Sequence, residues 1–308
     1  MIPLVRKIAL CCTFCLFTAG AVAASAANML LLGAAHSNAG IVAVGERGSI
    51  LVSTDEGGSW DPVAAPTTAT LTALSFAPDG ERGWAVGHDA IILQTQDGGR
   101  TWTQSWQGEN LEDSFLDVCA VDATTVIAVG AYGFAMRSDD AGESWHPLSP
   151  QDDDSHLNRL TRAPDGRLYL AGERGTLLRS EDAGETWAPV PTPYDGSFYG
   201  VLPLQSGALL AHGLRGHAYR SEDDGESWSP VETNSESLLA CAMKTRTGTV
   251  LLAGQARTLL QSKDDAQRFA APSAVPAPAT AFLVETSAGR VLAFGEGGAR
   301  FLTLANDE

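Results

Sequence analysis

Apolar residues run along this chain in short alternating stretches bounded by glycine, aspartate, serine or proline. Nowhere past residue 27 do they settle into the period of an amphipathic helix. Leu71 to Phe76 alternates, Pro78-Asp79-Gly80 turns, and Gly83 to Gly87 forms a second apolar stretch. His88-Asp89 leads into Ala90 to Thr95, and a polar turn leads into Thr101 to Trp106. Stretches of this length with turn residues between them predict β-strands, and four in succession predict one antiparallel meander.

The meander recurs. The octapeptide Ser53 to Trp60 returns as Thr95 to Trp102, Ser138 to Trp145, Ser180 to Trp187 and Ser221 to Trp228, and in decayed form as Ser262 to Phe269. Its aspartates, Asp55, Asp97, Asp140, Asp182, Asp223 and Asp264, lie 42, 43, 42, 41 and 41 residues apart. Ahead of each box an apolar run ends in a glycine, at 45, 87, 130, 172, 213 and 254, and a seventh stands at 295 without a box after it. Four strands repeated at this period are the pattern of a β-propeller. Inner strands are placed near Met29, Leu71, Phe115, Leu157, Phe198, Leu238 and Thr280. The expected fold is therefore all-β: a seven-bladed ring of four-stranded antiparallel blades over residues 28–308, with no room for a second domain. Met29 to Ala35 aligns with the inner strand of blade one, which leaves Phe301 to Leu304 as the edge of blade seven. That blade is expected to be three-stranded or completed by a partner.

The repeated motif, S/T-x-D-x-G-x-S/T-W, is the Asp box, or bacterial neuraminidase repeat. Its aspartate accepts hydrogen bonds from the turn joining the third and fourth strands, its glycine permits the turn's backbone, and its tryptophan buries a large ring beside a neighbouring strand or blade. Asp55, Trp60, Asp97, Trp102, Asp140, Trp145, Asp182, Trp187, Asp223 and Trp228 are thus read as structural. An acidic turn in every blade is a fold device, not a set of active sites.

Arg6 and Lys7 precede an apolar run from Ile8 to Ala24, followed by small residues offering A-x-A cleavage sites at Ala23 or Ala26. This predicts a secretory signal over residues 1–27 and an exported protein. The run is close to the ~17-residue lower limit for a spanning helix, so an N-terminal tether is the alternative. Cys11, Cys12 and Cys15 leave with the leader, and Cys119 and Cys241 fall in inner strands on nearly opposite sides of the ring, too far apart to bridge. The formal charge is −17, with 37 acidic against 20 basic residues. That balance argues against nucleic acid or an anionic lipid surface as a partner of the overall field.

In a propeller the turns between second and third strands share one face with the connections between blades, and the Asp boxes project from the other. Arg47, Arg174 and Arg215 occupy one slot in the second-to-third turns of three blades, with Arg257 one residue later. Planar, permanently charged guanidiniums suit carboxylate recognition. Glu46 and Glu173 stand beside two of them, and would neutralise them if paired. Tyr132, Tyr194, Phe198 and Tyr199 are the aromatic candidates for a contact surface on the same face. Asp152-Asp153-Asp154 reads as a solvated acidic loop without the ligand spacing of a calcium site. No metal or cofactor is implied.

The Asp box invites a sialidase reading, which needs an arginine triad, a tyrosine nucleophile with a glutamate, and an acidic proton donor. The Phe/Tyr-Arg-Ile/Leu-Pro segment of sialidases is missing, and three hairpin-tip arginines would sit on the rim rather than deep in the channel. G-x-S-x-G, H-E-x-x-H and P-loop motifs are also missing. A glycan-binding or glycoside-hydrolysing propeller is kept as the alternative, and catalysis is not expected. Repeats of ~42 residues, each carrying V/A-G-x-x-G and then S-x-D-x-G-x-S/T-W, resemble the photosystem II stability/assembly factor family. Val44-Gly45-Glu46-Arg47-Gly48 through Trp60 is among the clearest stretches, and the similarity runs from about Asn28 to Glu308. The resemblance implies a seven-bladed propeller exported to the periplasm or thylakoid lumen. It also implies a role in assembling membrane proteins by binding them, so the expected partner is a membrane-protein or envelope-complex subunit.

Overall fold

A computed structural model describes residues 29–272 and 278–304; the leader read over residues 1–27 lies outside them. The alternating stretches form seven antiparallel sheets around a central channel. Inner strands begin at Leu31, Leu71, Phe115, Leu157, Phe198, Leu239 and Thr280, within two residues of the positions read from the repeat. Blades one to five have four strands each, and blade seven has three, Thr280–Glu285, Val291–Gly295 and Gly298–Phe301.

Blade six departs from the four-stranded expectation. Its fourth strand shrinks to a single bridge between Gln261 and Ala270. In blades three to five the residue three after the box tryptophan donates its N–H to the third strand: Leu148 to Ala135 O (3.0 Å), Val190 to Leu177 O (2.8 Å) and Val231 to Ala218 O (2.9 Å). The matching residue after Phe269 is Pro272, which has no N–H to give.

The glycine that ends each second strand has a specific task. Gly45 is extended (φ −174°), so it is not there for its dihedrals. A Cβ on it would lie 2.0 Å from Leu30 O, and one on Gly87, Gly130 or Gly213 within 2.1 Å of the carbonyl preceding that blade's inner strand. The register of inner and second strands slips at the same place in every blade, as between Leu71↔Gly87 and Ala73↔Val86. The bulge presses the inner strand against a backbone that cannot carry a side chain.

Packing between blades follows one rule. Seven apolar clusters bridge successive blades, and each box aromatic sits in the cluster shared with the preceding blade. Trp102 joins Val42 and Ile50 of blade one, and Phe269 joins Leu210 of blade five. The ring closes the same way, with Trp60 meeting Phe294 of blade seven edge-on at 5.7 Å. His36 Nε2 on Glu285 O (2.8 Å) and the Ser287 N–H on Glu56 Oε2 (2.6 Å) add polar contacts to that seam. No strand is exchanged between blades one and seven among the described residues.

The boxes are built as the motif requires. Asp55 Oδ1 accepts from Ser53 Oγ (2.9 Å) and the Ser59 N–H (2.8 Å), and Oδ2 accepts from Ser59 Oγ (2.7 Å). The decayed sixth box keeps the scheme, with Arg268 supplying both its N–H (3.0 Å) and Nε (2.9 Å) to Asp264. Arg137, Arg179 and Arg220, just ahead of their boxes, pair with Asp139, Glu181 and Glu222. They also reach the next blade's box turn, at Ala183 O (2.7 Å), Asp224 O (3.3 Å) and Asp265 O (2.9 Å). These interblade staples are not visible in the repeat alone.

Candidate functional site

The second-to-third turns of blades one to six each place two successive residues in the left-handed region, and in three of them the first is a rim arginine: Arg47 (φ 55°), Arg174 (φ 54°) and Arg215 (φ 57°). Tyr132 occupies the same slot in blade three (φ 53°) and is 72% exposed. A glycine follows each of the four, so the tip is tight and its side chain is thrown outward. The arginines are all exposed.

Their glutamate neighbours do not neutralise them. Glu46 Oε1 accepts the Leu30 N–H (3.1 Å) and Glu173 Oε2 accepts the His156 N–H (3.1 Å), so both carboxylates anchor the entry to an inner strand. Arg174 pairs instead with Asp154 of the acidic loop (3.0 Å), both side chains being exposed. Arg47 and Arg215 form no ion pair with any described residue. Asp153, though exposed, accepts the Ser155 N–H (2.7 Å), which gives the loop a structural use.

Blades three to five gather most of the candidates into one arc. Tyr132 meets the His156 ring edge-on at 4.6 Å, and His156 Nδ1 stands 3.7 Å from Glu173, beside Arg174. Tyr194, on the connection into blade five, donates to Leu214 O (3.3 Å) next to Arg215. It packs on the rings of His217 (4.4 Å) and Tyr219 (5.9 Å). Burial, opposed by the nearby Arg215 charge, raises the Tyr194 hydroxyl above its ordinary pKa. Tyr199 sits at the bulge of blade five and lines the channel. Phe198 is 0% exposed and lies beneath Tyr194 (5.4 Å), so it supports the surface rather than forming it. Arg47, in blade one, stands outside the arc, and the three arginines do not converge as a triad would. His156, His217 and Tyr219 were missed in the sequence; each lies beside a singled-out residue, but nothing in the repeat marks them.

The chain matches, over residues 22–299, the family model described as Photosynthesis system II assembly factor YCF48. The protein belongs to that family. Among curated relatives it is 46% identical over 43 residues to the photosystem II assembly protein Ycf48 of Thermosynechococcus vestitus, covering 14% of this chain and 12% of that one. With the chloroplastic stability/assembly factor HCF136 of Arabidopsis thaliana it shares 23% over 155 residues, 42% of this chain and 38% of the relative. These alignments span less than half the length of either relative. Structural likeness is broader: a structure titled YCF48 bound to D1 peptide superimposes with TM-score 0.72 at 22% identity, covering 91% of this chain and 95% of that one. YCF48 from Cyanidioschyzon merolae gives 0.70 at 16% over 90% and 96%. A streptogramin B lyase gives 0.75 at 13% over 92% and 96%, so at this distance the shared shape is the fold alone.

Proposed function

We propose that this protein is an exported assembly factor that holds an acidic segment of a membrane protein against the arc of blades three to five. The observation that carries the reading is the cluster of Tyr132, Arg174, Tyr194, Tyr199 and Arg215 on one face of a family member whose net charge is −17. An acidic partner is repelled by the bulk of such a surface, and locally attracted where exposed guanidiniums are flanked by tyrosines. Aromatic rings add contact area at small entropic cost, and a guanidinium meets a carboxylate with two parallel hydrogen bonds. Arg47 is assigned a peripheral contact and Phe198 a supporting one.

Read as an export signal, the leader would send the protein to the periplasm, or to the thylakoid lumen of a photosynthetic cell. No helix among the described residues is long and apolar enough to cross a membrane. The test is purification from native membranes with partners identified by mass spectrometry, for the wild type and Arg174→Glu/Arg215→Glu. The account requires an integral membrane protein that is lost from the charge-reversed variant. Retention of the same partner by that variant would remove the site from the arc.

A further inference from the structure

Apart from Tyr199 at its lining, the central channel is unused by this reading. It encloses about 620 Å³ and is lined largely by apolar side chains with a few convergent polar groups, the size and make-up of a small-molecule site. One layer is formed by the third residue of each inner strand, where Gly33, Ala73 and Gly200 leave the space unfilled. Arg159, from blade four, crosses that layer until its guanidinium carbon stands 5.2 Å from the centre of the Phe282 ring of blade seven.

Arg159 lacks a hydrogen-bonded partner. Its Nε is 3.9 Å from Asp117 Oδ2, beyond hydrogen-bond range, and that oxygen already accepts the Leu160 N–H at 2.7 Å. None of its guanidinium N–H groups donates to another described residue. Asp117 is the one acid among the lining residues, against Arg159 and Arg162, on a chain that is otherwise strongly acidic. Burial raises the Asp117 pKa, opposed by the Arg159 charge nearby. His212, 3% exposed, donates from Nδ1 to Leu239 O (2.9 Å), which leaves Nε2 as an acceptor beside Gly200. Burial pushes its pKa down to about 4, so at neutral pH it adds no charge.

We propose that the channel is a binding site for a small organic carboxylate, whose two oxygens take the free fork of Arg159. The His212 Nε2 lone pair accepts from a hydroxyl or N–H on the same ligand. The site is separate from the rim and does not depend on the assembly reading.

Isothermal titration calorimetry of the full mature chain tests this with acetate, succinate, citrate and benzoate at neutral pH, against chloride at matched ionic strength. At least one probe is expected to bind one to one. Arg159→Gln should weaken it by roughly tenfold or more, the loss of a charged hydrogen-bonding group. Arg159→Lys keeps the charge without the fork, carries the test if Arg159→Gln fails to fold, and should also weaken binding. Arg174→Glu/Arg215→Glu should leave it unchanged. The proposal is overturned if no probe binds the folded wild type, or if binding survives both Arg159 variants. It is likewise overturned if binding disappears with the rim arginines, or if only carboxylate-terminated peptides bind.

Discussion

Replacing Trp60 by alanine tests how the ring closes. Blade seven has no fourth strand and exchanges none with blade one among the described residues, so the seam rests on a packed cluster of Leu31, Ile41, Ala43, Leu51 and Trp60 against Val284, Leu292 and Phe294. Trp60 is 7% exposed, and its edge-on contact with Phe294 is worth about 1 kcal/mol beyond its buried area. Removing a buried tryptophan costs about 3–5 kcal/mol, a large part of the 5–15 kcal/mol typical of a folded domain. For a chain of this size that lowers Tm by roughly 10 °C. Trp145, Trp187 and Trp228 occupy the same motif position but are only half-buried, so their alanine variants should cost less. Urea titrations followed by circular dichroism give the four values without relying on the deleted fluorophore. A Trp60→Ala cost below about 1 kcal/mol, or no larger than that of Trp187→Ala, would mean that this cluster does not close the ring.

The other predictions concern the boxes, the bulge and the thiols. The carboxyls of Asp55, Asp140, Asp182 and Asp223 are lowered to about 2 by the hydroxyl four residues on, then by that residue's N–H, then by the serine two residues before. Their folded values lie below the ordinary 3.8, so their stabilisation is full above about pH 4 and lost as pH falls toward 2. Tm should drop across that window, with a shallower slope in Asp140→Asn/Asp182→Asn; a flat Tm from pH 4 to 2 would contradict this. Gly213→Ala places a methyl 2.1 Å from Ser197 O and should cost about 1–3 kcal/mol by urea melt. Gly166→Ala, with nothing within 4 Å of the new methyl, should cost only the ~1 kcal/mol of a left-handed alanine. Burial pushes the Cys241 thiol up to about 12, so iodoacetamide at pH 8 should label it only in denaturant.

Repetition made the fold legible. A motif seen six times marks the turn after the third strand of each of six blades, because each copy repeats one hydrogen-bonding solution, Asp55 and Asp264 alike. Features that depend on one blade were harder to read. Pro272 removes a single N–H and with it the fourth strand of blade six, a loss that the period of the repeat does not register. Glu46 and Glu173 stand beside arginines in the chain yet turn toward backbone N–H groups, because an inner strand entering from elsewhere offers them a better partner. Phe198 shows the same limit: alternation places it in a strand, but only the packing of Tyr194 above it shows that it is covered. The channel lining was the least visible, since Asp117, Arg159 and His212 come from three blades and no motif marks them.

The claim that the arc of blades three to five receives a membrane-protein segment is tested most directly by site-specific photocrosslinking in the cell. A photoreactive phenylalanine replaces Tyr132 on the arc or Glu143 in an Asp box on the opposite face, both exposed. The account predicts a crosslink to an integral membrane protein from position 132 that disappears with Arg174→Glu/Arg215→Glu, and none from position 143. The same adduct from position 143 alone, or one from position 132 that ignores the arginines, would contradict it.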